Sequence, residues 1–392
     1  MTPPARTQAA IELLDAIVAA AREGGAAADT LIARYFAARR YAGSKDRRAV
    51  RELVYAAIRR AGELPATGRA AMLALADDDP ALSDTFDGSA HAPASIRENE
   101  PRATAGAAPA WLADLLAASD VDVATLVDRA PLDVRVNRLK SNREAMLAEL
   151  PDAQPTPHGP DGLRLPTGTN VETLTAFREG ALEVQDEGSQ IVGMAVDARP
   201  GQRIVDLCAG AGGKTLALAA AMANEGVILA CDIDRTRLSR LAPRAARAGA
   251  TIVETRLLNP GREAAALAHW ADSADGVLID APCSGTGTWR RNPEARWRLT
   301  PARIDRLVET QRHVLDIAAP LVRPGGALVY IVCSLLDREG PEQVDAFLAR
   351  HSGWAADAPR LPCGEPRGPG IRLTPAACNT DGFFVARLRR AC

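Results

Sequence analysis

Cys283, in the run LIDAPCSGTG, and Cys333, in the run ALVYIVCS, each follow a short apolar segment of strand character. If both strands belong to one parallel sheet, their C-terminal ends open into the same crevice, where ligands bind in open α/β folds. Two thiols then face one substrate. A third group of residues, Cys208, Ala209, Gly210, Ala211, Gly212, Gly213 and Lys214, lies between a strand ending near Asp206 and a helix beginning near Thr215. Glycines at such a turn let the backbone approach a ligand closely, and the helix N-terminus offers free N–H groups.

Spacing tests what that loop binds. A P-loop needs G-x-x-x-x-G-K-[ST], and counting back from Gly213-Lys214-Thr215 puts Cys208 where its first glycine belongs. A dinucleotide fingerprint G-x-G-x-x-G, begun at Gly210 and Gly212, needs glycine where Thr215 stands. Both patterns fail. The next strand ends ACDID, so Asp232 sits at a strand tip, where a carboxylate can hold ribose hydroxyls, whereas the neighbouring Asp234 suits a helix N-cap. A glycine loop and an acidic strand tip without a phosphate cradle suit an adenosine cofactor that carries no phosphate, and S-adenosylmethionine is the expected one.

The strand before Cys283 ends Asp280-Ala281-Pro282-Cys283. Methyltransferases acting on exocyclic amines often carry [DN]-P-P-[YFW] there. A thiol in place of the aromatic ring points to covalent activation of a ring carbon. C5 of a pyrimidine becomes nucleophilic when a thiolate adds to C6, which splits one hard step into easier ones. The thiol must ionise, so an ordinary pKa of about 8.5 has to be lowered or a base must help. Asp280 could orient the base, with Lys214 nearby to balance charge. Cys208, Cys231, Cys363, Cys378 and Cys392 read as inert thiols, cysteine being a common small core residue. The residues alone leave open whether Cys283 or Cys333 is the nucleophile.

These groups need an alternating scaffold. After Gln185 the pattern runs strand RIVDLC, helix Thr215 to Ala223, strand VILACD, helix Arg235 to Ala248, strand GVLIDAP, helix Pro301 to Ala319, strand ALVYIV, helix Glu339 to Arg350, with GFFVARL as a last strand at the end of the sheet. Such alternation means βαβ units in a doubly wound, mostly parallel sheet. Ahead of it, Ile11, Leu14, Ile17 and Val18, and again Val50, Leu53, Val54 and Ile58, recur at helical spacing, with a third helix expected over Asp29 to Arg40. The stretch Asp77 to Pro109, rich in Asp, Pro, Ser and Ala, suggests a long surface loop or flexible insert. The expected domains are an all-helical segment over 1–128, a small α/β connector over 129–190 and the doubly wound domain over 191–392.

The composition of the 392 residues, 47% hydrophobic and 24% charged, is ordinary for soluble domains. No run of about 18 apolar residues and no secretion signal is present, so a cytoplasmic, non-membrane protein is expected. Seven cysteines without a CxxC pair argue against a disulfide framework and against a structural metal site. A net charge of -2 means that any nucleic-acid surface must be a local patch, for which Arg290, Arg291, Arg296 and Arg298 are candidates. Lys45, Lys140 and Lys214 are the only lysines, and Lys214 marks a place where a compact ammonium fits better than a planar guanidinium.

SKDRRAVRELVYAAIRR, APLDVRVNRLK, ALEVQDEGSQIVGMAV, VDLCAGAGGKT, LIDAPCSGTGTWRRNPEARW and GGALVYIVCSLLDREG together resemble the Nol/Nop/Sun family of RNA cytosine-5 methyltransferases over nearly the whole chain. The resemblance implies a NusB-like helical domain ahead of a connector and a Rossmann-like class I methyltransferase domain. It implies Cys333 as nucleophile, Cys283 as the residue assisting release, and cofactor contacts from Cys208 to Lys214, Asp232 and Asp280. The implied substrate is a cytosine in structured RNA, with 16S rRNA expected, flipped out to reach the pocket, and the protein is expected to act as a monomer. Other ribosomal RNA, transfer RNA, or a role as a non-catalytic RNA-binding assembly factor are the alternatives. Ala211, Val332 and Asn292 replace the family's proline, threonine and histidine. Leu258 and Asn259 stand where an adenine-side aspartate is common.

Overall fold

The computed structural model describes residues 1–392. They divide into two compact units, Met1–Arg129 with Thr288–Pro301, and Ala130–Gly287 with Ala302–Cys392. The first unit is helical: α1 (Pro3–Glu23), α2 (Ala28–Ala37), α3 (Ser44–Arg60), α4 (Gly68–Ala76), α5 (Pro80–Ser83) and α6 (Ala110–Ala118). Thr2 caps α1 through its hydroxyl, two prolines occupy the first turn, and Gly24 ends the helix at φ 72°. The apolar stripes face inward as their spacing demands. Ile11, Leu14, Ile17 and Val18 from α1 share one core with Val50, Val54 and Ile58 from α3 and Met72 and Leu73 from α4. Gly68 allows α4 to begin against α1, because a Cβ there would lie 2.4 Å from the Ile11 carbonyl oxygen.

The stretch over 77–109 is tied down rather than loose. Leu82 and Phe86 enter the core, Arg69 pairs with Glu100 and Arg102 with Asp77, and Ala105 bridges to Ala61. The sequence shows only its polarity; these contacts come from residues far along the chain.

Three of the four arginines proposed as a nucleic-acid patch are bound to backbone carbonyls of the helical unit. Arg296 is 0% exposed, and its guanidinium donates to the Ile58 and Ala61 carbonyls at 2.6 and 2.8 Å, at the C-terminal end of α3. Arg298 donates to Gly25 and Ala26 just beyond α1, at 2.7 and 2.6 Å. Arg290 is buried and reaches the Arg129 carbonyl, and Arg291 is half-buried. The segment docks as a strap, and its Arg296 satisfies orphan carbonyls at the end of α3, where the helix dipole favours positive charge. Glu294 does the converse, accepting the Ala28 N–H at the start of α2.

In the second unit, β1 (Leu132–Val136), β2 (Gln154–Pro155), β3 (Gly162–Leu165) and β4 (Leu182–Val184) form an antiparallel sheet in the order β2-β3-β1-β4. It covers a small core with Met146 from the helix Arg143–Glu149. The large sheet contains β5 (Arg203–Asp206), β6 (Val227–Asp232), β7 (Val253–Leu257), β8 (Ala274–Asp280), β9 (Val322–Val332), β10 (Trp354–Ala356), β11 (Glu365–Arg367), β12 (Gly370–Leu373) and β13 (Phe383–Arg390). Its order is β11-β12-β13-β9-β8-β5-β6-β7, with β10 also on β13. The pairs from β7 to β9 are parallel, and β10 to β13 form an antiparallel extension.

Alternation along each parallel strand sorts side chains onto two covered faces. Val205, Leu229, Val277, Ile279, Leu328 and Tyr330 pack on one side with Leu315 and Phe347. Ile204, Ile228, Leu278, Val329 and Ile331 pack on the other with Leu216, Leu218 and Leu241. This is a doubly wound Rossmann-like sheet. Three details differ from the sequence reading. β13 lies inside the sheet, between β9 and β12, and the half-exposed β7 closes the opposite edge, its polar VETRL hiding the strand signal. The expected helix over 235–248 is broken into Arg235–Leu238 and Leu241–Ala248, with Pro243 in the first turn of the second piece. No helix is long and apolar enough to cross a membrane.

The strap yields a prediction. Arg296→Met keeps side-chain volume but leaves the Ile58 and Ala61 carbonyls without their guanidinium, so denaturant unfolding should show the helical unit weakened by about 3 kcal/mol. An unchanged midpoint would mean that the carbonyls find other donors.

Candidate active site

Strand order reverses between β5 and β8, which makes their C-terminal ends the topological switch point of the sheet. Every candidate residue lies at or just past these tips or those of their neighbours. Asp206 ends β5, Asp232 ends β6, Asp280 ends β8, and Cys333 comes directly after β9. Asp280 pairs with Ile331 in the parallel register of β8 and β9. The two cysteine loops are therefore adjacent, and Cys283 Sγ lies 3.3 Å from Cys333 Sγ.

The loop Cys208–Gly212 turns sharply, with Gly210 at φ 55° and Gly212 at φ 87°, conformations that a side chain at either position would strain. A Cβ on Gly212 would also lie 2.0 Å from Leu241 Cδ1. The Gly210 N–H donates to Asp232 Oδ2 at 2.7 Å, and the Asp234 N–H donates to Asp232 Oδ1 at 2.8 Å. Asp232 is thus locked in place with lone pairs remaining on both oxygens. Ala211 fills the family's proline position, and its carbonyl accepts from Arg244 at 2.6 Å. Asp234 caps the following helix through Thr236 and Arg237. Cys208 packs beside the apolar face of the sheet, and burial pushes its thiol well above the ordinary range, aided by Asp206, Asp232 and Asp280. Asn259 lies exposed just past β7, whose Leu257 pairs with Asp232.

Lys214, 8% exposed, begins the next helix and donates to Asp280 Oδ2 at 2.7 Å. Burial alone opposes its charge, but Asp280, by charge and by hydrogen bond, then Cys333 and Asp206, hold its pKa above that of an ordinary lysine. Its ammonium also lies 5.6 Å from the centre of the Phe383 ring. Four residues from three separate motifs, Cys283 and Asp280, Cys333, and Lys214, form one electrostatic cluster. The cysteines themselves are not equivalent. The hydrogen bond to Cys333 and then burial push the Cys283 thiol well upward, and the charges of Cys333 and Glu339 add to the effect.

Two features escaped the sequence reading. Ser284 and Ser334, each directly after a cysteine, converge on the carboxylate of Glu339. Nothing in the local sequence distinguishes that glutamate from a helix-start residue. Asp206 is the other. Its Oδ2 accepts the Thr215 hydroxyl at 2.7 Å, while its Oδ1 is buried with no partner. An unfilled acceptor beside the glycine turn, together with Asp232, is what a cofactor bearing amino and hydroxyl donors would satisfy. The cofactor expectation fits this set of donors and acceptors.

Burial pushes Asp206 up to about 7, with Asp280 and Asp232 reinforcing and Thr215 and Lys214 opposing. The folded chain therefore holds this proton more tightly than the unfolded chain, whose carboxyl titrates near about 3.9. Stability from this group is present below that value and is lost as pH rises toward 7. Relative to Asp206→Asn, the wild-type protein should lose as much as about 4 kcal/mol between those two limits in denaturant titrations run at a series of pH values. A pH-independent difference would show that Asp206 is ionised throughout.

The sequence profile of the family described as 16S rRNA methyltransferase RsmB/F matches residues 193–389. The ribosomal RNA small subunit methyltransferase B of Salmonella arizonae is 39% identical over 268 residues, which are 66% of this chain and 60% of that protein. Its counterpart from Salmonella typhi is 38% identical over the same shares. The chain thus spans about 60% of the length of the curated relatives it matches. The crystal structure of PH0851 matches with a TM-score of 0.82 at 26% identity, covering 100% of both chains. NSun6 from Pyrococcus horikoshii with SFG shares the fold, with a TM-score of 0.61 at 22% identity over 68% of this chain and 93% of that one. With its profile match spanning the glycine turn and both cysteine strands, the chain belongs to the 16S rRNA methyltransferase RsmB/F family.

Proposed function

We propose that this protein transfers a methyl group from S-adenosylmethionine to C5 of a cytosine in RNA, with 16S rRNA as substrate, through a covalent bond between Cys333 Sγ and C6. The observation that carries this reading is the pair of thiols 3.3 Å apart at the switch point, beside the Lys214–Asp280 ion pair. Family membership supports ribosomal RNA as the substrate class. The cofactor, held by the turn Cys208–Lys214 and by Asp232, supplies an electrophilic methyl group on its sulfonium.

The residues divide the remaining work. Two thiolates this close repel, so the pair shares one proton, and Cys283 is the member whose environment retains it. Charge on Cys333 is among the influences that hold the Lys214 ammonium protonated. Addition of that thiolate to C6 breaks the C5–C6 double bond and places the electron pair at C5. Asp280, oriented by Lys214, can accept a hydrogen bond from the exocyclic amino group of the base. After C5 is methylated, its proton must leave for a base, and the restored double bond expels Cys333. Once Cys333 is a thioether it no longer carries charge, so its hydrogen-bond and charge contributions to holding the proton on Cys283 are removed, while burial and Glu339 remain. Cys283 then releases its proton to solvent, and its thiolate takes the C5 proton as the double bond re-forms and Cys333 leaves.

Two variants test the assignment. Cys333→Ala should reduce methyl incorporation into RNA by at least about 10³-fold. Cys283→Ala should accumulate an RNA–protein adduct that survives a denaturing gel. Exchanged phenotypes would reverse the roles, and unaltered 5-methylcytosine formation in both would rule out covalent catalysis.

A further inference from the structure

Glu339 is 0% exposed, in the short turn Asp337–Glu339 between β9 and the helix Pro341–Arg350. A carboxylate this deeply buried is costly unless every lone pair is used. Its Oε1 accepts the Ser284 N–H and the Gln311 side-chain amide, each at 2.9 Å. Its Oε2 accepts the Ser284 hydroxyl, and the Ser334 hydroxyl at 2.5 Å. All four donors are neutral, and together they occupy both carboxylate oxygens. Two of the donors belong to Ser284, the residue after Cys283, and one to Ser334, the residue after Cys333.

The neighbouring bonds close the brace. Gln311 also donates to the Pro282 carbonyl at 2.9 Å, just before Cys283. The Gly287 N–H donates to the Cys333 carbonyl at 3.0 Å. Thr286 Oγ1 accepts the Leu335 N–H at 2.9 Å and lies 3.2 Å from Ser334 Oγ. The Tyr330 hydroxyl donates to the Glu339 carbonyl at 2.6 Å, which anchors the turn to β9. The two serine hydroxyls lie 3.1 Å apart, and the carboxylate joins them across two loops that have no helix or strand of their own at this point.

We propose that Glu339 is a positioning residue, which acts through Ser284 and Ser334 to hold the Cys283 and Cys333 thiols within reach of each other and of one substrate ring. Its consequence for turnover rests on the covalent reading given above, but the geometric role does not.

The test separates the two. Full-length wild type, Glu339→Ala and Glu339→Gln are treated without RNA with diamide, which is reduced to the hydrazine as the two thiols are oxidised to a disulfide. The rate of Cys283–Cys333 disulfide formation is read by mass spectrometry, and kcat and KM for RNA methylation are measured in parallel. Glu339→Gln keeps an acceptor for the Ser284 and Gln311 N–H groups and should stay within about 10-fold of wild type in both assays. Glu339→Ala should slow disulfide formation by about 10-fold and lower kcat by about 10²-fold with little change in KM, the size expected for misplacing a reacting group by about 1 Å. If Glu339→Ala fails to fold, Ser334→Ala and Ser284→Ala, which each remove one arm, should show smaller losses in the same direction. Folded variants with unchanged disulfide rate and kcat overturn the proposal. Slowed disulfide formation in a protein whose wild type methylates no RNA supports the brace and counts instead against the proposed reaction.

Discussion

The parallel pairing of β8 with β9 is the constraint on which the rest of this molecule depends. Asp280 opposite Ile331 fixes how far each strand runs before its loop begins. Neighbouring strands lie about 4.8 Å apart, so two loops leaving adjacent tips in the same direction must share a crevice. The register then decides which side chains meet there, and here it brings two thiols together at 3.3 Å. A slip of one residue would turn Ile279 and Tyr330 out of one apolar core and into the other, so burial on both faces guards the register.

Around that pair the chain gathers four carboxylates, Asp206, Asp232, Asp280 and Glu339, and a single ammonium, a balance that only specific partners make tolerable. Asp232 is satisfied by two backbone N–H groups, Asp280 by Lys214, and Asp206 only partly, by Thr215. The field is therefore uneven: Lys214 acts toward Cys333, and Glu339 acts toward Cys283. The Cys283 thiol is raised by its hydrogen bond to Cys333, by burial, and by the charges of Cys333 and Glu339.

The strap Thr288–Pro301 shows a second use of the same economy of partners. It leaves the sheet immediately after the Cys283 loop, belongs to the helical unit, and returns into the helix Pro301–Ala318. Its Arg296 caps the C-terminus of α3, and Trp297 joins the helical core, donating to the Ala61 carbonyl. An arginine-rich run suggests phosphate when read alone. Among helix ends that lack donors, the same residues become structural.

By itself, the sequence determined the alternating strands and helices, the inward stripes of α1 and α3, and the tips at which Asp232, Asp280, Cys283 and Cys333 stand. Those features follow from periodicity and turn residues, which act over a few positions and are written locally. It could also exclude phosphate-binding loops, because glycine spacing is a local property too. Tertiary structure alone decided the adjacency of the thiols, the pairing of Lys214 with Asp280, the interior place of β13, the recruitment of the strap, and the convergence of Ser284, Ser334 and Gln311 on Glu339. Each of these joins residues remote in sequence whose partners are selected by strand order and by the need to satisfy buried polar groups. No short-range pattern encodes that selection.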